Sequence, residues 1–240
     1  MLGSGLMISL SIGMFATLAL KNFVSGLTTT DERFYSFVIG SICFQLVGLI
    51  LAHVFLRAHE VSWPEFLGLK LPNCGRAMLL GLGVAVLAVP VALVVNELSR
   101  IVVTSMTGSA EMQPTMKVLQ VSVSLPQRIL FGFTAIVLAP LIEEILFRGI
   151  LYRTLQQVGY PRMGLYGSSI LFGLIHSNLV TLLPLTCLAL VFARLYDRTN
   201  NLMSSIAAHA VFNAVNFFSF IHQQEIERWL QETLRHLQQV

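Results

Sequence analysis

Charge is the scarcest property of this sequence. Only 11% of its 240 residues are Asp, Glu, Lys or Arg, whereas 55% are hydrophobic. A soluble domain carries about a quarter charged residues, so this chain has too few charges to coat a water-facing surface. Lipid must therefore solvate much of it. The fifteen Lys and Arg residues are scattered along the sequence rather than clustered, which argues against nucleic acid as a partner.

Cysteine and the common catalytic motifs are also scarce. The three cysteines lack CxxC spacing, and Cys43 and Cys187 lie in apolar runs, which is typical of small buried hydrophobic residues. There is no GxSxG-like context around a serine and no intramembrane cysteine near a histidine, which argues against a covalent nucleophile. The absence of internal repeats and of Gly/Ser linkers favours one membrane domain over residues 1–240.

Long apolar segments dominate what is present. A membrane-crossing helix needs about 20 mostly apolar residues, so the predicted fold is all-α, a polytopic transmembrane helical bundle of about seven spans with short interfacial helices. The predicted spans are 6–24, 34–56, 77–99, 128–154, 163–176, 179–196 and 202–221.

Three of these spans allow an alternative interpretation. The first is predicted to be retained rather than cleaved as a signal peptide, because Lys21 follows it and no positive charge precedes it. The fifth and sixth are short, and only Ser177 and Asn178 separate them. They form either a tight hairpin that does not fully cross the membrane or one broken helix.

The segments between the spans also allow structural predictions. Ser62 stands three residues before Glu65, which is capping-box spacing, and Trp63 and Phe66 suit the headgroup layer. A short helix on the membrane surface is therefore predicted there. The linker 104–127 is the longest polar stretch, and we interpret it as an exposed loop rather than a mobile lid.

The tail 222–240 changes character, because apolar residues recur there at near-helical spacing among Gln, Glu and Arg. This pattern predicts an amphipathic interfacial helix, with a partner-binding helix as the alternative. Lys and Arg divide almost equally between the two sides of a seven-span bundle, so the positive-inside rule does not orient the chain.

The costliest residues for a lipid-solvated chain lie in the fourth predicted span. Glu143, Glu144 and Arg148 stand within one and a half helical turns, and a charged residue at mid-bilayer costs roughly 2.5–3.5 kcal/mol. Glu144 and Arg148 are four residues apart on one helix face, which predicts an ion pair. Glu143 points about 100° away, and it is therefore left available as a general base.

Two further apolar spans carry polar faces. Phe172 and His176 are four residues apart, and His209, Asn213 and Asn216 form one stripe that must face the bundle interior or a water-filled cavity. We interpret Asn216 as structural. A lone intramembrane His or Asn often only joins helices, but two carboxylates, two imidazoles and an amide on separate apolar helices together favour a chemical site.

Two kinds of chemistry fit this residue set. A glutamate and a histidine can polarise a water for attack on a carbonyl, while a second histidine and an asparagine donate hydrogen bonds to the developing oxyanion. Alternatively, Glu143, His176 and His209 can hold a divalent metal such as Zn²⁺, which lowers the pKa of bound water to about 7. Since the sequence has no HExxH motif, the metal version is the weaker of the two.

The order of these motifs resembles that of the CPBP family, which comprises intramembrane CAAX prenyl proteases of the Rce1 type and bacterial relatives, including bacteriocin-processing and self-immunity proteins. The matching motifs are Glu143-Glu144-x-x-x-Arg148, Phe172-x-x-x-His176 and His209-x-x-x-Asn213, in that order on successive apolar segments. The resemblance covers about 126–221, the predicted protease core, and residues 63–69 are similar to a stretch before the core in bacterial members.

The resemblance implies a cavity open to one membrane face and laterally to lipid, where a peptide bond near the C-terminus of a membrane-associated substrate is hydrolysed. It implies that Glu143 activates water with His176, that His209 and Asn213 form the oxyanion hole, and that the adjoining Glu–Arg pair supports the site. Both a metal-dependent and a metal-independent glutamate mechanism have been argued for the family.

The predicted function is therefore an intramembrane endopeptidase of the bacterial cytoplasmic membrane, with membrane lipids and a membrane-associated peptide or protein as partners. The alternative is a non-proteolytic peptide-binding protein, such as a bacteriocin immunity factor or scaffold, that uses the same cavity. A transporter with a Glu/His proton relay fits poorly, because there is no inverted repeat or paired set of broken helices.

Overall fold

A computed structural model describes residues 28–121 and 124–223. Within these ranges the chain is helical and contains no strand, which confirms the all-α prediction. The helices are α1 (Thr29–Ala58), α2 (Trp63–Phe66), α3 (Cys74–Thr107), α4 (Pro114–Val121), α5 (Leu125–Gln157), α6 (Met163–Ile175), α7 (Leu179–Thr199) and α8 (Leu202–Ile221).

Five helices, α1, α3, α5, α7 and α8, are long and apolar enough to cross a membrane, so this is a multi-pass membrane protein. The apolar helix α6 has 13 residues, or about 20 Å, against a hydrocarbon core of about 30 Å. The predicted span 6–24 and the tail beyond residue 223 lie outside the described residues. Six of the seven predicted spans therefore correspond to helices, one of them short.

The outer faces of the long helices are apolar. Leu87 on α3 is 75% exposed, and Leu79, Val86 and Val91 on the same helix are also well exposed. A water-soluble protein rarely exposes such a contiguous apolar surface, and lipid tails are its natural solvent.

The fifth and sixth predicted spans are two helices joined by a tight turn, which confirms the hairpin, but α7 is long enough to cross a membrane. Ser177 adopts the left-handed conformation, with φ of 51°, and the Asn178 side chain accepts a hydrogen bond from the Thr181 N–H to cap α7. The chain thus reverses within three residues. Gly173 on α6 lies directly against Leu182 of α7, where a side chain would not fit, so the two helices pack closely.

Helix α2 forms where it was predicted, but not for the predicted reason. The Ser62 side chain makes no capping hydrogen bond, so the capping box is wrong. The helix is instead held by packing. The Trp63 indole N–H donates to His53 Nδ1 at 3.1 Å, and the Phe66 ring fills the space beside Gly149 on α5. Both aromatic rings therefore pack onto the bundle rather than only onto headgroups.

The linker 104–127 is not a simple loop. Its start continues α3 as far as Thr107, and it contains the eight-residue helix α4. Leu119 on α4 is buried in an apolar cluster with Phe34 of α1 and Phe131 of α5. Helix α4 was not predicted from the sequence, because its segment is polar and a single buried leucine is a weak periodic signal.

Helix α5 is not a regular α-helix. Two π-helical segments, Thr134–Leu138 and Ile145–Tyr152, flank the α-helical stretch Ala139–Glu144. Pro140 has no N–H, and its ring excludes the carbonyl one turn earlier, which gives the first π segment a local cause. Such segments rotate the side chains that follow them and often occur at functional sites.

Close packing joins α3 to α8. Ala77, Gly81 and Ala85 form a buried stripe of small residues at four-residue spacing on α3. A Cβ atom on Gly81 would collide with the Ser204 backbone carbonyl. Small residues at this spacing let two membrane helices approach until their backbones touch.

We predict that Gly81→Ala destabilises the bundle by about 1–3 kcal/mol, because the added methyl group has no room. Gly83→Ala is the matched control, since nothing lies within 4 Å of its added methyl group. Alanine favours a helix over glycine by up to about 1 kcal/mol, so the control is expected to be neutral or stabilising. Thermal unfolding in detergent measures both. Equal unfolding temperatures would contradict the close approach.

Candidate active site

The predicted ion pair in α5 is present and buried. Arg148 Nη1 donates to Glu144 Oε1 at 2.8 Å, and the two residues are only 1% and 0% exposed. Arg148 Nη2 also donates to the Ala189 carbonyl of α7 at 3.1 Å. The guanidinium carbon lies 4.7 Å from the ring centroid of Phe172 and 5.5 Å from that of Phe192. Carboxylate, carbonyl and two aromatic faces thus stabilise the buried cation.

His209 on α8 completes this arrangement. Its Nδ1 lies 2.8 Å from Glu144 Oε1. Because an ionised carboxylate can only accept, Nδ1 is assigned as the protonated nitrogen. The imidazole stacks on Phe192 at 5.1 Å and meets Phe172 edge-on at 5.7 Å. The ring is therefore fixed in position and in tautomer, with Nε2 aimed elsewhere.

Nε2 of His209 faces the second glutamate. It lies 3.7 Å from Glu143 Oε2. The Glu143 side chain is 21% exposed, whereas that of Glu144 is fully buried. The two neighbouring carboxylates therefore differ as the sequence predicted: Glu144 is engaged by Arg148, and Glu143 is accessible beside an imidazole nitrogen.

His176 stands at the end of α6, one turn beyond Phe172. Its Nδ1 lies 2.8 Å from the Phe172 carbonyl, which can only accept, so Nδ1 carries the proton and Nε2 has a free lone pair. The Phe172 ring lies 5.0 Å from the ring of His176 and also contacts the ring of His209. The aromatic ring thus touches both imidazoles. His176 and Glu143 share no hydrogen bond in the described part of the chain.

The face of α5 that carries Glu143 points toward α6. Phe147 follows Glu143 by four residues, and its ring meets Phe172 edge-on at 5.2 Å. This contact directs the Glu143 side of α5 to the half of α6 that ends at His176.

Asn213 and Asn216 differ in what they bind. Asn213 Nδ2 donates to the Ala135 carbonyl on α5 at 2.8 Å, within the first π segment, and so it ties α8 to α5. One amide hydrogen of Asn213 remains for another acceptor. Asn216 Nδ2 donates to Phe212 O of its own helix, in agreement with a structural role.

The three side chains considered for metal binding do not form a ligand set here. Across residues 28–121 and 124–223, no three His, Cys, Asp or Glu side chains converge in a group that could hold a metal ion. His209 Nδ1 is bound to Glu144 and His176 Nδ1 to a backbone carbonyl, so Nε2 is the available nitrogen on both rings. Glu143, His176 and His209 do not converge as a ligand set within the described ranges, and no step below uses a metal.

Three parts of the site were not predicted. Phe192 and the Ala189 carbonyl belong to α7, whose middle carries no Asp, Glu, Lys, Arg or His. The Ala135 carbonyl is a backbone group and has no sequence signature. The only usable signal was the buried Arg148, which required acceptors beyond one carboxylate because its guanidinium has five N–H donors.

Comparison with known proteins agrees with the motif pattern. Residues 125–215 match the family model described as Rce1-like, type II CAAX prenyl endopeptidase Rce1-like. The chain is also 30% identical over 129 residues to a Bacillus subtilis (strain 168) protein named "Putative membrane peptidase YdiL". That match covers 53% of this chain and spans about half, 50%, of the relative. No solved structure matches the chain.

We predict that Arg148→Leu destabilises the bundle by about 3–5 kcal/mol, because it leaves the Glu144 carboxylate buried beside one imidazole and no cation. Glu143→Gln exchanges near-isosteric groups at an accessible position and is expected to cost less than about 1 kcal/mol. Thermal unfolding of the two variants in one detergent measures the difference. Equal loss of stability would contradict the division of roles between the two glutamates.

Proposed function

We propose that the chain is an intramembrane endopeptidase that hydrolyses a peptide bond of a membrane-associated substrate, and the match of residues 125–215 to the Rce1-like family model supports this proposal. One observation carries this proposal: an accessible carboxylate, Glu143, lies 3.7 Å from an imidazole nitrogen that a buried ion pair holds in place. The family name does not specify the substrate of this chain.

Glu143 is proposed as the general base. Glu144 is not assigned this role, because its side chain is fully buried and its Oε1 accepts from both Arg148 and His209, although its Oε2 has no partner. An ionised Glu143 can take a proton from a water molecule as the water oxygen attacks the peptide carbonyl carbon. Collapse of the tetrahedral intermediate then breaks the C–N bond, and the proton held by Glu143 passes to the leaving amine.

His209 is proposed to stabilise the oxyanion. For this role Nε2 carries a proton while Nδ1–H stays bound to Glu144. The Nε2–H then points away from Glu144 into the space beside Glu143. A fixed donor of this kind stabilises the negative charge that develops on the carbonyl oxygen, because it requires no reorientation during the reaction.

His176 is proposed to orient the attacking water. Its Nδ1–H is bound to the Phe172 carbonyl, so the neutral ring has Nε2 available as an acceptor. A water molecule that donates one hydrogen to Glu143 and the other to His176 would be held with a lone pair free for attack. This role needs a bridging water, since the two side chains share no direct hydrogen bond.

Asn213 is proposed as the second oxyanion donor. Its bond to the Ala135 carbonyl fixes the plane of the amide, and the remaining amide hydrogen is available to the substrate. Glu144 and Arg148 act through His209 and are positioning residues.

We predict that Glu143→Gln lowers kcat about 10²–10⁴-fold on any peptide that the wild-type protein cleaves, because glutamine cannot accept the proton. The assay uses the full chain in detergent with a fluorogenic peptide library. Glu111→Gln, at an exposed loop position, is the matched control and should keep full activity. The assay is repeated with a chelator and with Zn²⁺ restored, which measures any metal requirement.

Two outcomes oppose this proposal. Full activity in folded Glu143→Gln would remove Glu143 as the base. No cleavage by wild-type protein, together with binding of library peptides to wild type and variant alike, would favour the non-proteolytic peptide-binding alternative.

We further predict that Asn213→Ala lowers kcat about 10²–10³-fold, the usual cost of one oxyanion donor, with a smaller change in KM. Asn216→Ala is the control, because Asn216 bonds only within its own helix, and its kcat should stay within about twofold. If Asn213→Ala loses thermal stability but keeps kcat, Asn213 serves only to join α8 to α5.

A further inference from the structure

Four cations meet at the end of the bundle where α5 and α7 terminate and α3 and α8 begin. The Asn201 side chain donates to the Gly68 carbonyl at 3.0 Å, which brings the loop before α3 to the turn between α7 and α8. Arg153 Nη2 reaches Asn200 Oδ1 of the same turn at 3.5 Å. The basic end cluster formed there consists of Lys70, Arg76, Arg153 and Arg198.

Within residues 28–121 and 124–223, these cations form no ion pair. No Asp or Glu of the described ranges lies within ion-pair distance of any residue of the basic end cluster. The acid next to it in sequence, Asp197, accepts from the Tyr152 hydroxyl at 2.6 Å and from the Gln156 amide at 3.1 Å, and its nearest cation is Arg194 at 3.9 Å. The cluster therefore has uncompensated positive charge.

One helix N-terminus lies beside these cations, although α5 and α7 end there with the negative ends of their dipoles. The N-terminus of the 34-residue helix α3 lies at this end, its first turn holds no acidic residue, and its N-cap Asn73 makes no side-chain capping bond. Asn73 instead reaches the Thr199 carbonyl, at 3.5 Å. Free N–H groups and the positive end of a helix dipole both favour an anion.

Exposed leucines adjoin the same cations. Leu69 and Leu71 flank Lys70 and are 49% and 37% exposed, and Leu79, one turn after Arg76, is 67% exposed. Cations that alternate with exposed leucines at the end of a membrane helix are suited to a lipid interface, where headgroups meet the charges and acyl chains meet the leucines. An acidic soluble protein or a nucleic acid would bind the cations but leave the leucines exposed to water.

From these contacts we infer that the basic end cluster binds the phosphate of an anionic phospholipid, whose acyl chains lie against the exposed leucines of α3. This site is on the helix ends rather than at Glu143, and it does not depend on the proposed peptidase function.

The test compares two double variants of the full chain that lose the same charges. Lys70→Gln/Arg76→Gln removes half of the basic end cluster, whereas Arg33→Gln/Lys117→Gln removes one Arg and one Lys from the opposite end of the bundle. Native mass spectrometry of the detergent-purified proteins measures binding of phosphatidylglycerol, with phosphatidylcholine as the neutral lipid and inorganic phosphate as the free anion.

A cation near the headgroup region contributes about fivefold to the affinity for an anionic lipid. The Lys70/Arg76 double variant is therefore expected to bind phosphatidylglycerol roughly 25-fold more weakly than wild type, and the opposite-end variant within about twofold of wild type. Phosphatidylcholine should bind equally weakly to all three proteins. Thermal unfolding confirms that each variant is folded.

The inference is overturned if both double variants lose the same affinity, or if phosphatidylcholine binds wild type as tightly as phosphatidylglycerol. Displacement of the lipid by inorganic phosphate at equal concentration would also overturn it, because the leucines would then contribute nothing. Peptide cleavage by the same preparations is measured in a separate assay, so the absence of lipid binding would not contradict the peptidase proposal.

Discussion

The buried pair of Glu144 and Arg148 is the interaction on which the arrangement of the site depends. Neither charge is tolerable alone in a lipid-solvated bundle, and each is stabilised by groups from other helices. Glu144 accepts from His209 of α8, and Arg148 donates to the Ala189 carbonyl of α7. The pair therefore joins three helices, and their packing is linked to the orientation of one imidazole.

This dependence explains why two adjacent glutamates can have different tasks. The buried carboxylate of Glu144 is ion-paired with Arg148 and orients the His209 imidazole. Glu143, one residue earlier, is rotated by about 100° around the helix axis and faces an accessible space. The π segment before this stretch rotates both carboxylates together relative to the start of α5. A regular α-helix from Leu125 to Gln157 would carry the two carboxylates on different faces from those observed.

The two ends of the bundle differ in chemistry. At one end the hairpin of α6 and α7 is bound by the preceding loop, since Asn178 donates to the Glu111 carbonyl and Gln113 to the Thr181 hydroxyl. At the other end, near the turn between α7 and α8, lies the basic end cluster, which forms no ion pair with any described residue. If that end holds an anionic headgroup, the bundle is anchored away from His176 and Glu143, and the site is free to receive a peptide.

The sequence by itself determined the helical class, six of the predicted spans, the Glu144–Arg148 pair and the set of polar residues facing the interior. These follow from local rules: apolar length, four-residue spacing and the cost of charge in lipid. The order of the three motifs also resembled that of the family whose model matches residues 125–215.

Tertiary structure decided the rest. The pairing of His209 with Glu144, the engagement of Asn213 by Ala135 and the aromatic faces around Arg148 all join residues distant in sequence. Helix α4 and the packing of α2 were likewise set by contacts with other helices, against weak or misleading local signals. Spacing along one helix specifies which side chains share a face, but which partner that face meets depends on how the helices pack.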